Sequence, residues 1–183
     1  VSVLQRYQRE ANLSDTPGVP DTDNAQVSDA GLMLNHKVML EDFTYDAEET
    51  AYARKWAEYL AKCVFEANTY WRNRMTSHFI VLPDNEFRDF VRYSTEIVTR
   101  IHIDDDTKTV KEGQLFTQEL LPADTLLYSM VRITDSRDKG HTMQAADVLD
   151  TLKDAIGTSI QIGADETVGR GRIHLNWQEV TND

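Results

Sequence analysis

Residues 94–103 alternate with a period of two. Ile97, Thr99, Ile101 and Ile103 fall on one side, and Glu96, Val98, Arg100 and His102 on the other. Successive side chains of an extended chain point to opposite faces, so this pattern specifies a strand with one mixed face. Asp104-Asp105-Asp106-Thr107-Lys108 follows as a polar turn, and after Gly113 a second extended segment covers residues 115–121. Together they predict a hairpin with its turn near residues 105–113. Pro122-Ala123-Asp124 breaks the pattern, and residues 125–133 are predicted as a third strand.

The flanking segments set the fold class. Residues 37–45, with Val38, Leu40 and Phe43, read as a short strand. Asp46 is predicted to cap a helix over residues 47–65, in which Tyr52, Trp56, Tyr59, Leu60 and Cys63 recur at spacings of three and four and face a core. Residues 78–82 read as a strand ending at Pro83, with Asp84 capping a helix through Glu86, Phe87, Phe90 and Val91. A helix over 142–156 turns Ala145, Val148, Leu149, Leu152 and Ile156 inward, and short strands are predicted at 160–162 and 172–177. Residues 1–9 can form a short helix or strand. Residues 12–29, with Pro17, Gly18 and Pro20, read as a mobile loop. The expected organisation is a flexible or truncated segment over 1–36 and one domain over 37–183. Its element order implies an α+β fold with helices on one face of an antiparallel sheet. A ferredoxin-like core, incomplete at the N-terminus and carrying a hairpin at about 94–125, is the natural candidate.

Bulk properties exclude several classes. A chain of 183 residues supports one hydrophobic core, and 40% hydrophobic residues fit a folded domain. No stretch reaches the apolar length of a membrane span, and no secretory signal opens the chain. The single cysteine, Cys63, rules out an intrachain disulfide and reads as a buried structural thiol. A cytoplasmic address is the resulting default. The net charge of −12 argues against a generic nucleic-acid binder but leaves room for basic strips on an acidic body. His36, His78, His102, His141 and His174 lack zinc-ligand spacing, and Asp104 to Asp106 read as a solvated turn. No catalytic residue, metal ligand or cofactor motif is assigned within this chain.

The sharpest local signal is Ile162-Gly163-Ala164-Asp165-Glu166-Thr167-Val168-Gly169-Arg170-Gly171-Arg172. Gly163, Gly169 and Gly171 allow tight backbone turns, and exposed N–H groups in such a turn can cradle a phosphate beside Arg170 and Arg172. The segment lacks the Lys-Ser/Thr of a nucleotide P-loop and the third glycine of a dinucleotide fingerprint. A tight structural loop with solvated arginines is the alternative. If phosphate binds here, Asp165 and Glu166 must face away from it, toward protein or an arginine.

This loop resembles the glycine-rich loop of the RAMP superfamily, the repeat-associated RNA-binding proteins of CRISPR systems. The resemblance extends through Val81-Leu82-Pro83-Asp84-Asn85-Glu86-Phe87, the strand ending Arg100-Ile101-His102-Ile103, Thr107-Lys108-Thr109-Val110-Lys111-Glu112-Gly113-Gln114-Leu115-Phe116, and Glu119-Leu120-Leu121-Pro122-Ala123-Asp124-Thr125. Over residues 81–177, and more loosely from residue 37, the chain is similar to the repeated backbone subunits of the type III-B (Cmr) effector. The resemblance implies a ferredoxin-like palm and a hairpin thumb that wedges into a guide–target duplex. The implied partners are crRNA, complementary target RNA, copies of the subunit in a filament and other effector subunits. On a thumb of this kind Arg100, His102, Lys108 and Lys111 can meet phosphates, and backbone chemistry, strengthened by the resemblance, places the guide backbone on Gly163, Gly169, Arg170, Gly171 and Arg172. The resemblance further implies target cleavage by the complete family member with a divalent metal, Mg or Mn. The family's catalytic acid lies in an N-terminal part that has no equivalent before Lys37. A ferredoxin-like protein-interaction domain without RNA binding is the competing expectation.

Overall fold

The computed structural model of the chain describes residues 1–11, 23–65, 69–138, 140 and 142–178, with Lys111 and Glu112 described by backbone only. The innermost strand is β1 (Ala25–Val27), whose three residues are all buried. It lies within the stretch expected to be a loop. Three residues among polar neighbours carry too little alternation to register as a strand. Strand β1 pairs in parallel with β3 (Phe43–Glu49) and antiparallel with β4 (Ile80–Val81). Strand β2 (Lys37–Leu40) joins β3 as an antiparallel hairpin, giving the order β2-β3-β1-β4. The fold is α+β as expected, but the sheet is mixed rather than antiparallel.

Alternation along β1 decides what each face holds. Ala25 and Val27 join Val38, Ala47 and Leu82 in the core, with Tyr45 and Phe90 packed against them. Gln26 points the other way, and its Oε1 accepts the Thr50 hydroxyl at 2.8 Å. Ser28, fully buried, ties three elements together. Its N–H donates to the Phe79 carbonyl, its Oγ accepts from Phe79 N, and its carbonyl accepts from Arg54 Nε. Buried polar groups of this kind are tolerated because each finds a partner.

Helix α2 (Ala51–Val64) starts at Thr50, whose Oγ1 accepts from Ala53 N. Asp46 does not cap it. Chain pairing carries β3 through that position, and Asp46 instead meets Lys37 Nζ at 2.8 Å. The helix buries Ala53, Trp56, Ala57 and Ala61, a smaller face than the aromatic one expected, and leaves Tyr52 half exposed. Alanines at the contact let the helix backbone approach its neighbours closely around the one large side chain, Trp56. Tyr59 and Cys63 are only half-buried, beside Tyr7 of α1 (Ser2–Glu10). Burial pushes the Cys63 thiol up, against hydrogen bonds from Tyr59 and Tyr7 that pull it down.

Helix α3 (Thr69–Ser77), which periodicity did not reveal, packs on α2. Helix α4 (Asp84–Tyr93) begins after Pro83, which occupies the N-cap position expected for Asp84. Asp84 stands in the first turn and accepts from Ser2 N at 2.8 Å. Phe90 of α4 meets the rings of Phe43 and Tyr45.

Beyond α4, strands β5 (Glu96–Ile103) and β6 (Val110–Leu120) form a separate two-stranded sheet. Helix α5 (Ala145–Ile156) half-buries the face of Val148, Leu149, Leu152 and Ile156. Strands β7 (Ser159–Gln161) and β8 (Arg172–His174) pair antiparallel around the glycine-rich loop. The third strand expected at 125–133 does not form. Leu126, Leu127, Met130 and Val131 are exposed, and a strand without a neighbour has no partner for its backbone groups. Tyr128 anchors this stretch to α1, through Arg6, Glu10 and the Tyr7 ring. Among the described residues no helix is long and apolar enough to cross a membrane.

Candidate nucleic-acid interface

Hairpin β5–β6 keeps a regular register from Glu96↔Leu120 to Ile101↔Leu115, and then slips, so that Ile103 faces Val110. The extra residues all lie on the β6 side and bend the outer part of the hairpin relative to its base. An eight-residue strand spans about 26 Å at the usual rise. The tip is closed by Asp104. Its Oδ1 accepts from the N–H groups of Asp106 and Thr107 and from the Thr107 hydroxyl, while its own N–H donates to the Thr109 carbonyl. These hydrogen bonds, Thr107 foremost, hold the Asp104 carboxyl below the usual aspartate range. The acids at this turn therefore shape it. Lys108 adopts a left-handed conformation there, with φ of 56°.

The hairpin's two faces differ. Ile97, Ile101 and Leu115 are exposed on one. Val98, Arg100, Gln118 and Leu120 are half-buried on the other, which meets the glycine-rich loop. The Arg100 guanidinium reaches Asp165 Oδ2 at 3.0 Å. Arg170 reaches back to Glu96 Oε1 at 3.5 Å. Two arginines and two carboxylates thus cross between strand and loop. Glu96 and Arg100 lie on the same strand face because they are an even number of residues apart. Asp165 facing an arginine agrees with the sequence expectation.

Part of the loop's backbone is engaged within the loop itself. The N–H groups of Val168 and Arg170 both donate to the Asp165 carbonyl, that of Gly169 donates to Glu166, and that of Ile162 donates to Gly171. These donors are committed to a 3-10 turn at Glu166–Val168 and to closing the loop. Gly163, Gly169 and Gly171 have φ of 89°, 80° and 72°, the region where a β-carbon is strained. Among the loop's side chains Glu166, Val168 and Arg172 are exposed, and Arg170 is half-buried toward the hairpin. Gln161 Nε2 steadies the Arg170 carbonyl at 2.9 Å, and Arg172, exposed, has Ser159 Oγ 3.4 Å from its Nε. Past β8, Asn176 Nδ2 donates to the Val64 carbonyl and fastens this segment to the end of α2.

The structure brings together Arg100, Arg170 and the three glycines at the base of the hairpin. His102 stands further out, exposed and beyond the last regular pair, and Lys108 is at the tip. The Lys111 side chain lies outside the described residues. Glu96 is the member of the constellation that sequence reading passed over. No three His, Cys, Asp or Glu side chains converge as metal ligands among the described residues.

A family profile described as RAMP superfamily matches residues 10–174. Over 186 residues the chain is 32% identical to "CRISPR system Cmr endoribonuclease Cmr4" of Pyrococcus furiosus, covering 99% of this chain and 61% of that protein. It is 30% identical over 105 residues to "CRISPR system CMR subunit Cmr4" of Saccharolobus solfataricus, covering 57% of this chain and 32% of that one. The chain therefore spans 61% and 32% of the lengths of these two curated relatives. Among solved structures it is similar to oligomeric Cmr4 from Pyrococcus furiosus, with a TM-score of 0.58 and 23% identity over 98% of this chain and 64% of that one. It is also similar to a chain of the type III-B Cmr-beta complex bound to cognate target RNA, at 0.52 and 20%, over 97% of this chain and 51% of that one. The fold is shared with these structures, and the chain belongs to the RAMP superfamily.

Proposed function

We propose that this chain is a guide-holding backbone subunit of a type III CRISPR effector. In this reading the four-stranded sheet with α2 is a ferredoxin-like palm and the β5–β6 hairpin is the thumb. The observation that carries the reading is a hairpin forming its own two-stranded sheet, with exposed apolar residues below its polar tip and two arginines at its base. Ile101, Ile103 and Val110, half exposed or more, can press on bases. Arg100, Arg170 and Arg172 can meet phosphates, which fix register without reading sequence. The partners are crRNA, complementary target RNA, further copies of the chain and other effector subunits, assembled in the cytoplasm. The Pyrococcus relative is named an endoribonuclease. Cleavage by the assembled particle fits divalent-metal chemistry with Mg or Mn, supplied outside the residues described here.

The direct experiment is native purification of the particle followed by RNA extraction and sequencing, which should recover guide RNA. The residue-level test is Arg170→Ala with Arg172→Ala. Affinity should fall alike for all sequences, and the salt dependence should flatten by about one unit per lost phosphate contact. A folded double variant that binds as tightly as the parent at every salt removes the loop from the RNA path. It would favour a protein-interaction domain that makes no RNA contact.

A further inference from the structure

We infer that Glu96 is a built-in competitor for RNA phosphate at Arg170, so that the arginine exchanges one anion for another when RNA arrives. The inference rests on the proposed RNA path through the loop. It comes from the inequality of the two crossed ion pairs. Arg100 and Asp165 sit at 3.0 Å, and the Asp165 side chain is only 19% exposed. The Asp165 carbonyl also accepts two loop N–H groups, so this aspartate is part of the loop's own framework. Breaking a pair of that kind leaves a carboxylate with little water, which is costly. Arg170 and Glu96 sit at 3.5 Å, and the Glu96 side chain is 49% exposed. A loose, hydrated pair contributes little and exchanges readily.

The chemistry at the two ends also differs. Asp165 occupies one Nη2 contact of Arg100 and fixes the direction of the guanidinium, leaving other N–H groups of its planar fork for a phosphate. Asp165 is thus a positioning residue. Arg170 is held across the strand by a single, longer contact to Glu96. A phosphate brings more charge and more acceptor oxygens to the same guanidinium than one carboxylate oxygen does, so it displaces Glu96 while the Arg100–Asp165 pin stays closed. With no RNA bound, Glu96 keeps Arg170 from recruiting other anions on an otherwise acidic chain.

The test uses the full chain and a short fluorescently labelled single-stranded RNA of mixed sequence, read by anisotropy at several salt concentrations. Glu96→Gln should tighten binding about two- to five-fold at ordinary salt, the factor an exposed ion pair sets, and the gain should fade as salt rises. Glu58→Gln makes the same charge change at an exposed position of α2, outside the hairpin and the loop, and should leave affinity nearly unchanged. In the Arg170→Ala background Glu96→Gln should add nothing, since a competitor without its arginine has no target. Asp165→Asn should act in the reverse direction and weaken binding, because Arg100 loses its orientation. If Glu58→Gln tightens binding as much as Glu96→Gln, or the gain persists without Arg170, the effect is bulk charge and the inference is overturned. If Arg170→Ala lowers affinity but Glu96→Gln changes nothing, the RNA path stands and the competitor role falls. If Arg170→Ala itself changes nothing, both fall together.

Discussion

A β-carbon added at Gly171 would lie 2.1 Å from the Ile162 carbonyl oxygen and 2.6 Å from Gln161 Nε2, on a backbone with φ of 72°. At Gly169, φ is 80° but nothing lies within 4 Å. The two positions therefore separate strain from crowding. Gly169→Ala should cost about 1–2 kcal/mol, the left-handed penalty alone. Gly171→Ala should cost clearly more, because it also forces apart the Gly171–Ile162 closure of the β7–β8 pair. Comparing thermal midpoints of the two variants checks this; equal midpoints would mean the loop closure yields without resistance. Asp104 gives a second residue-level outcome. Its carboxyl is held low by turn amides, so its stabilisation is complete above the ordinary aspartate range of about 3.9 and is lost as pH falls through the lower folded value. Amide exchange at the hairpin tip should quicken on acidification in the parent. It should lose that pH step in Asp104→Asn. From sequence the three glycines look alike and Glu96 looks like one more acid on a strand. Its meaning comes from Arg170, on a distant segment, and no local spacing encodes that meeting.

Elements with their own period were legible in the sequence, and elements defined by a neighbour were not. The hairpin, α5 and the short β7 carried alternation or helical spacing, and each formed within a few residues of its expected bounds. Strand β1 holds three residues, and burial between β3 and β4 makes it the centre of the sheet rather than any pattern of its own. Residues 125–133 show the converse, a strand-like composition that no partner strand completes. Among the described residues, the hairpin's ion pairs to the rest of the chain are at Glu96 and Arg100, below the last regular pair. Replacing residues 102–114 with Asn-Gly, which suits a two-residue turn, should thus leave the rest of the fold intact. The circular dichroism spectrum and thermal midpoint should stay close to the parent's, while RNA-dependent spacing or target pairing weakens. Helix α2 should respond in the opposite way. Trp56 is fully buried and its Nε1 has no partner among the described residues, so Trp56→Ala should cost about 3–5 kcal/mol. Trp56→Phe should cost far less, since it keeps most of the ring and removes a donor that has no acceptor. Denaturant midpoints for the pair decide whether this one side chain anchors the helix.

At the scale of the whole molecule, a net charge of −12 sets the terms of the proposed RNA binding. Arg100, Arg170 and Arg172 form a local strip on an acidic body, and two of the three already face carboxylates. The isolated chain should therefore bind RNA weakly and with strong salt dependence, because few phosphates are neutralised against general repulsion. Binding should tighten when several copies share one RNA. Each bound copy raises the effective concentration of the next, and basic patches of one copy can meet acidic faces of its neighbour. Titration of the chain against two RNAs separates these contributions. An RNA long enough for one copy should show weak, simple saturation. An RNA long enough for several should bind more tightly per copy and cooperatively, with larger complexes visible by analytical ultracentrifugation. The cooperative gain should shrink at high salt together with the contacts between copies. Tight, non-cooperative binding to the short RNA would show that one copy suffices, and that its acidic surface serves something other than assembly along a shared strand.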